Sequence, residues 1–200
     1  MSAGSSAFDV TVSNTIPSIA VSINSFIMST KGAGLLMGTS EANSTVAVYD
    51  TATDKCLGQT TANSSGGWSL VVVGLAPNCA QGFAAIAHDQ LGNIGGAACV
   101  YGTQGDDTLL SSLANEIFTG KGGHDTYAFS GNFGNDTITD FQSSANVIEL
   151  DRHVFGDFAG VMSHASQVGS DVVISMDASN SLSLHNTLLS QLTANNIHLV

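Results

Sequence analysis

Acidic residues and glycines recur together between residues 102 and 139, at a spacing that suits the binding of a hard cation. The stretch divides into four nine-residue segments that begin at Gly102, Ser111, Gly120 and Gly131, with two residues inserted before the last. The sixth residue of every segment is acidic and the eighth is apolar: Asp107, Glu116, Asp125 and Asp136, and Leu109, Phe118, Tyr127 and Ile138. Isolated Gly-x-Asp turns are common, but four in phase indicate a built repeat.

Each segment can form a turn whose oxygen atoms converge on one ion. Glycine adopts positive φ values without steric cost, so a six-residue turn can curl with its carbonyl groups pointing inward. If each segment makes half a turn of a coil, alternate segments stack on the same side. An ion between two stacked segments then receives main-chain carbonyls and two carboxylates. Calcium takes six to eight oxygen ligands at about 2.3–2.6 Å, so we predict Ca²⁺ as the cofactor.

Two calcium sites follow from this stacking, one on each side of the coil. The first lies between turns 102–107 and 120–125, with predicted ligands Gly102, Gln104, Asp107, Lys121, Gly123 and Asp125. The second lies between turns 111–116 and 131–136, with predicted ligands Ser111, Leu113, Glu116, Asn132, Gly134 and Asp136. We expect the second site to be poorer, because Ser111, Ser112 and Ala114 replace glycines and Glu116 is one methylene longer than aspartate. Asp140 is expected to supply an oxygen where the coil ends.

The charge of the chain limits its partners. It has 16 acidic and only 4 basic residues, for a formal net charge of −12. Nucleic acids and anionic membrane surfaces both require Lys and Arg, so we expect neither as a partner. No apolar run is long enough to span a bilayer, which predicts no membrane insertion. The first 17 residues lack the basic and apolar regions of a Sec signal peptide, although a C-terminal export signal would escape that test.

The elements before the repeat are predicted to be strands. Residues 17–100 contain seven short strand-like runs separated by turn-rich clusters, which predicts an antiparallel β-sandwich. The runs are Ser18–Ile23, Gly34–Gly38, Thr45–Tyr49, Cys56–Thr61, Trp68–Val73, Gly82–His88 and Ala97–Tyr101. Helical periodicity is absent from this region. Residues 1–16 are predicted to be a linker with a strand-like stub at Phe8–Val12.

The predicted sandwich resembles the bacterial Ig-like domains that occur in tandem on large exported proteins. The resemblance covers about 85 residues, and it lies in Val46–Asp50, Leu57-Gly58, Gly66–Leu70, Ala85–Asp89 and Gly92-Asn93. It implies an Ig-like sandwich over residues 17–100.

The repeat and the residues after it resemble the C-terminal region of the RTX family, the hemolysin-type calcium-binding repeats. The matching stretches are the four segments, Gly134–Phe141, Asn146–Leu150, Asp171–Ser175, Ser181–Leu184 and Leu188–Val200. The resemblance implies a short parallel β-roll over residues 101–141 and a β-rich cap over residues 142–200. It also implies export by type I secretion machinery, directed by an uncleaved signal within the cap. Thr103, Lys121 and Asn132 stand where the family has its second glycine, which bears on the affinity and number of the sites.

The resemblance implies a secreted, all-β protein that folds outside the cell. Cytosolic calcium is too low to fill weak sites, so the acidic turns repel one another and the roll stays unfolded until after export. Outside, calcium binding supplies folding free energy.

No catalytic residues are expected. None of the six histidines lies in an HExxH motif, and there is no GxSxG elbow. The three cysteines have no CxxC spacing, which argues against zinc. They are either buried or unpaired thiols, or outside the cell Cys56 and Cys79 form a disulfide and Cys99 is left over.

Two functions remain open from the sequence. In the first, the chain is an export-and-folding tail, with an Ig-like spacer, of a larger adhesin or hydrolase. In the second, it is a small self-standing secreted protein whose Ig-like face binds a glycan or another surface partner. The stub Phe8–Val12 favours the first, and a groove with exposed aromatic side chains would favour the second.

Overall fold

A computed structural model describes residues 19–29, 31–76 and 78–200, and it is built almost entirely from strands. The predicted linker 1–16 and its stub Phe8–Val12 lie outside the described residues. The all-β class predicted from the sequence is confirmed.

The N-terminal strands form two antiparallel sheets packed face to face. They are β1 (Val21–Met28), β2 (Ala33–Ser40), β3 (Thr45–Asp50), β4 (Cys56–Thr61), β5 (Gly67–Val73), β6 (Gln81–His88) and β7 (Ile94–Tyr101). One sheet has the order β1-β2-β5, and the other contains β4-β3-β6-β7. Alternate residues of each strand meet in a shared core that includes Leu36, Val48, Trp68, Val72 and Phe83. The seven strands lie at or near the runs predicted from the sequence.

The predicted bounds of the first strand were wrong. The sequence placed this strand at Ser18–Ile23, whereas β1 continues to Met28 through the polar pair Asn24-Ser25. Its pairing with β2 shifts between Ile23 and Ser25, which is a β-bulge. The bulge adds a residue to one strand and resets its alternation, so Ile23 and Phe26 both face the core.

The C-terminal half is a coil that alternates between two parallel sheets. Its first strands are β8 (Thr108–Leu110), β9 (Glu116–Thr119), β10 (Thr126–Phe129), β11 (Asn135–Ile138) and β12 (Val147–Leu150). The following elements are α1 (Arg152–Phe155), α2 (Phe158–His164), β13 (Ala165–Val168), β14 (Asp171–Ser175), β15 (Ser181–Leu184), a 3₁₀ turn (Leu189–Gln191) and β16 (Ile197–Leu199). One sheet has the order β16-β12-β10-β8, and β9, β11 and β15 lie in the other. The eighth residue of each repeat is buried as predicted.

The two halves share a sheet through β7. This strand pairs antiparallel with β6 on one side and parallel with β9 on the other, where Ala98 lies opposite Glu116 and Tyr101 opposite Thr119. The combined sheet has nine strands, from β4 to β13. Because successive side chains of a strand point to opposite faces, Val100 packs in the coil core while Cys99 and Tyr101 pack in the sandwich core. The coil therefore begins on the edge of the sandwich.

Two short helices interrupt the cap, which the sequence analysis described only as β-rich. Asp151 caps α1 by accepting a hydrogen bond from the main-chain N–H of His153, and Asp157 caps α2 through the N–H of Gly160. The helices are too short to show a clear apolar period in the sequence. None of the helices in the described part of the chain has the length and apolar character needed to cross a membrane.

Substitution of Phe118 tests how much the core of the coil contributes to the free energy of unfolding. It is fully buried and packs its ring edge-on against Tyr127 and Phe129. We expect Phe118→Ala to lower the free energy of unfolding by about 3–5 kcal/mol, since truncation leaves a cavity. Ile117→Ala, on the same strand but 41% exposed, should change it by less than about 1 kcal/mol. Equal losses in urea unfolding would contradict this account of the core.

Candidate metal centre

The turns 102–107 and 120–125 stack on one side of the coil. The main-chain N–H of Asp107 donates to Asp125 Oδ1 over 3.1 Å. Asp107 Oδ2 accepts hydrogen bonds from the N–H and the hydroxyl of Thr103, at 2.5 and 2.9 Å. The N–H of His124 donates to Asp106 Oδ1 over 2.7 Å. The two acids predicted to face each other are therefore adjacent, and Asp106 ties the two turns together.

Glycines permit this close stacking. A Cβ added to Gly102 would lie 2.5 Å from the carbonyl oxygen of Gly120 and 3.0 Å from Asp107 Oδ2. A Cβ on Gly120 would overlap the Asp125 carboxylate and the Tyr127 hydroxyl. The glycine at the first position of these two repeats thus leaves room for the acid that closes the turn.

Gly123 shows a second role for glycine. It has a φ of +107°, and a Cβ there would lie 2.5 Å from the carbonyl oxygen of Gly105 in the turn above. The left-handed backbone and the close approach both require a residue without a side chain.

The turns 111–116 and 131–136 stack in the same way on the other side. The N–H of Glu116 donates to Asp136 Oδ1 over 2.8 Å. The Glu116 carboxylate accepts hydrogen bonds from the N–H and the hydroxyl of Ser112. A Cβ on Gly134 would overlap the carbonyl oxygen of Ala114. The second predicted pair of acids is therefore adjacent as well.

Among the described acids, Asp136 has a buried carboxylate oxygen that lacks a hydrogen-bond partner. It is 1% exposed, and its Oδ2 atom has no hydrogen-bond partner. Burial, and to a smaller extent the Glu116 carboxylate, raise the pKa of Asp136 to about 7, although the hydrogen bond from the Glu116 N–H acts in the opposite direction. A buried ionised carboxylate without partners is costly. Asp136 Oδ2 is thus an unpartnered buried oxygen on the side of the coil that the sequence predicts to be the poorer calcium site.

Lys121 brings a positive charge of the chain itself to the first side. Its backbone has a φ of +73°, and its ammonium group lies 5.5 Å from the ring centre of Phe26 and 5.6 Å from that of Tyr101. Burial lowers the pKa of Lys121, while the charges of Asp107 and Asp140 act in the opposite direction. The sequence predicts Lys121 only as a ligand, whereas its side chain joins the coil to the sandwich.

Four other predicted ligands are exposed or only partly buried. Leu113 is 80% exposed, Gln104 and Asn132 are exposed, and Ser111 is half-buried. The Leu113 side chain has no ligand atom, so only main-chain oxygen could come from it.

Asp140 does not lie at the end of the coil, where the sequence analysis placed it. It accepts hydrogen bonds from the N–H groups of Gly120 and Lys121, at 3.0 and 2.8 Å, and from the Tyr127 hydroxyl at 3.3 Å. Parallel strands β12, β15 and β16 extend the same two sheets beyond it. Asp140 therefore holds the start of the turn 120–125. The coil continues past residue 141.

Asn146 is a buried polar residue of this region that the sequence analysis did not select. It is 4% exposed, and its side-chain amide donates to the carbonyl oxygen of Gly123 and to Asp125 Oδ2, both at 3.4 Å. The signal was present in the sequence as an asparagine directly before the alternating strand Val147–Leu150, but no glycine accompanies it.

The cysteines form no pair in the structure. Cys56 and Cys79 are exposed free thiols, and Cys99 is a buried free thiol on β7. Burial raises the pKa of the Cys99 thiol to about 12, so it packs as a small neutral side chain.

Comparisons with known proteins gave weak structural likenesses. One is to the extracellular lipase LipA from Serratia marcescens, at 15% identity and a TM-score of 0.36, covering 58% of this chain and 29% of the lipase. Another is to the sensor domain of the anti-sigma factor RsgI4 from Pseudobacteroides cellulosolvens, at 9% identity and a TM-score of 0.28, covering 41% of this chain and 94% of that domain. This chain thus spans less than a third of the lipase. No family model and no curated protein matches the sequence.

Gly120→Ala should disrupt the first stack. The new methyl group would collide with the Asp125 carboxylate and the Tyr127 hydroxyl. We expect it to lower the free energy of unfolding by about 1–3 kcal/mol and to weaken the calcium binding that the sequence predicts for that side. Gly105→Ala is the matched control, because a Cβ there would meet only Thr103 Oγ1 at 3.8 Å. Similar chemical unfolding curves for the two variants, with and without calcium, would refute a steric role for Gly120.

Asp136 should make the calcium-free protein less stable as the pH rises. Its pKa is about 7 when folded, against an ordinary value of 3.8. Between these values the folded chain binds a proton that the unfolded chain has released, so the free energy of unfolding falls as the pH rises from about 4 to 7. Asp136→Asn should flatten this dependence in EDTA, and Asp54→Asn at an exposed position should not. The measurement is urea unfolding across that pH range, and unchanged slopes in Asp136→Asn would exclude the assignment.

Proposed function

We propose that this chain is a non-catalytic, extracellular calcium-binding module whose coil folds when Ca²⁺ binds. The observation that carries the proposal is the stacking of acidic turns on both sides of the coil, with the buried Asp136 Oδ2 left without a partner. A cation between such pairs would offset the repulsion of their ionised carboxylates, and the side chains around Asp136 do not supply one.

The donor chemistry of the turns fits calcium. The described residues contain no cluster of three or more His, Cys, Asp or Glu side chains that could bind a metal. An ion in the coil would therefore be completed by main-chain carbonyls beside the Asp107–Asp125 or Glu116–Asp136 carboxylates. Oxygen ligands of this kind suit a hard, flexible cation such as Ca²⁺, whereas zinc sites use nitrogen and sulfur ligands.

Calcium binding would couple to folding through these acids. When bound, Ca²⁺ supplies positive charge between stacked carboxylates. Without it, Glu116 and Asp136 stay close together in a buried place, which lowers the stability of the folded coil. Binding to the folded state alone stabilises it in proportion to the logarithm of the free calcium concentration. The coil would thus be weakly folded where calcium is scarce and firmly folded where it is abundant.

Export before folding is the setting that this coupling suits. The repeats resemble the hemolysin-type family, in which this region travels through type I secretion machinery. An acidic chain that stays unfolded in the cytosol can pass a narrow channel, and calcium outside completes its folding. We propose the sandwich as a spacer between this coil and the rest of a larger adhesin or hydrolase.

The alternative function, glycan or surface binding by the sandwich, has less support. The large hydrophobic side chains exposed in the described part of the chain are all aliphatic. Trp68 is 4% exposed and packs over Gly38, so its ring is not available for stacking on a sugar. The exposed aromatic groove expected of a glycan site is not found among these residues.

Calcium titration of the whole chain tests the proposal. The full 200 residues should be used, because β7 belongs to both halves. We expect Ca²⁺ in the low millimolar range, but not Mg²⁺, to increase β-structure in far-UV circular dichroism and to release or absorb heat in calorimetry. Asp136→Asn should bind less calcium, and Asp54→Asn should match the wild type. A protein that is already fully folded in EDTA and gives no heat of binding would overturn the proposal.

A further inference from the structure

Asn146 stands in the same column as two of the acids. Strands β8, β10 and β12 pair in parallel and in register. The residues directly before them, Asp107, Asp125 and Asn146, therefore lie one above another on the same side of the coil. The column thus contains two carboxylates followed by a carboxamide.

Asn146 closes its turn in the same way as the acid two turns earlier. Asn146 Oδ1 accepts the N–H of Gln142, four residues before it, over 2.8 Å. Asp107 Oδ2 accepts the N–H of Thr103, also four residues before it, over 2.5 Å. The asparagine oxygen therefore does what the aspartate oxygen does within a turn, and the two side chains differ in the second atom of the terminal group.

That second atom of Asn146 points at oxygen atoms of the turn above. Nδ2 donates to Asp125 Oδ2 and to the carbonyl oxygen of Gly123, both at 3.4 Å. A carboxylate and a main-chain carbonyl from one turn are the kinds of group that would hold calcium. An aspartate at position 146 would place a second carboxylate oxygen against them, and a cation could then bind all three oxygens.

We propose that Asn146 ends the column of calcium sites on this side of the coil. Its amide hydrogens replace a metal ion at the step between the second and third turns, so the residue at position 146 sets how many calcium ions the coil binds. The turn that contains Asn146 closes without metal. This inference rests on the proposed calcium function, because Asn146 can limit the number of calcium sites only if the column binds calcium.

Asn146→Asp is a direct test, because it exchanges NH₂ for O⁻ with little change in shape. In calorimetric titrations of the full chain, we expect it to bind about one more calcium ion than the wild type. In EDTA its Tm should be lower than that of the wild type, and calcium should remove most of the difference. Asn195→Asp is the control, since it makes the same change of charge at an exposed neighbouring loop position.

Asn146→Ala separates the loss of the amide from the gain of a carboxylate. It should lower the Tm in EDTA and in calcium alike, and it should not add an ion. If Asn146→Asp does not fold in EDTA, the number of ions bound after it refolds in calcium decides: one more than the wild type supports the inference, and an equal number overturns it.

The remaining outcomes distinguish the two proposals. An unchanged number of ions in Asn146→Asp, with wild-type binding intact, would overturn the role of Asn146 and leave the calcium function standing. A loss of one ion in Asn146→Ala would also overturn it, because Asn146 would then be a ligand itself. If neither the wild type nor Asn146→Asp binds calcium, both proposals fail.

Discussion

The proximity of like charges in stacked turns is the constraint on which the coil depends. Parallel strands lie about 4.8 Å apart, so the acids of turns that stack on the same side of the coil lie close together. Two negative charges about 5 Å apart repel by roughly 3 kcal/mol at an effective dielectric constant of about 20. At both steps the upper residue donates its main-chain N–H to the carboxylate below, from Asp107 to Asp125 and from Glu116 to Asp136. These bonds fix the geometry, but they leave the net charge of each pair in place.

The chain relieves this charge differently at each level. Beside the first turns, the ammonium group of Lys121 lies against two rings of the sandwich, and the charges of Asp107 and Asp140 act to raise its pKa. Below Asp125, the amide of Asn146 replaces the charge with hydrogen bonds. Asp136 has neither arrangement, and its buried Oδ2 atom has no hydrogen-bond partner. The acids of the coil thus differ in whether other groups of the chain supply partners for their carboxylate oxygens.

The nine-residue period made the coil predictable from the sequence, because each repeat contains the residues that form one turn and begin one strand. The burial of Leu109, Phe118, Tyr127 and Ile138 and the pairing of the acids both follow from that period. The sharing of β7 could not be predicted in this way, because parallel pairing joins strands that are distant in sequence and leaves no local pattern. Asn146 escaped for a related reason, since its partners Gly123 and Asp125 lie more than 20 residues earlier.

The shared strand has a consequence for how this chain could be cut or recombined. A coil separated after residue 101 would present the main-chain groups of β9 as an open parallel edge, ready to pair with another molecule. A sandwich separated before β7 would lose Cys99 and Tyr101 from its core, and the β6 edge would be open instead. The two halves therefore cannot be separated at β7 without exposing the edge of a sheet. A domain that replaced the sandwich would have to supply an edge strand that pairs with β9 to avoid association through that edge.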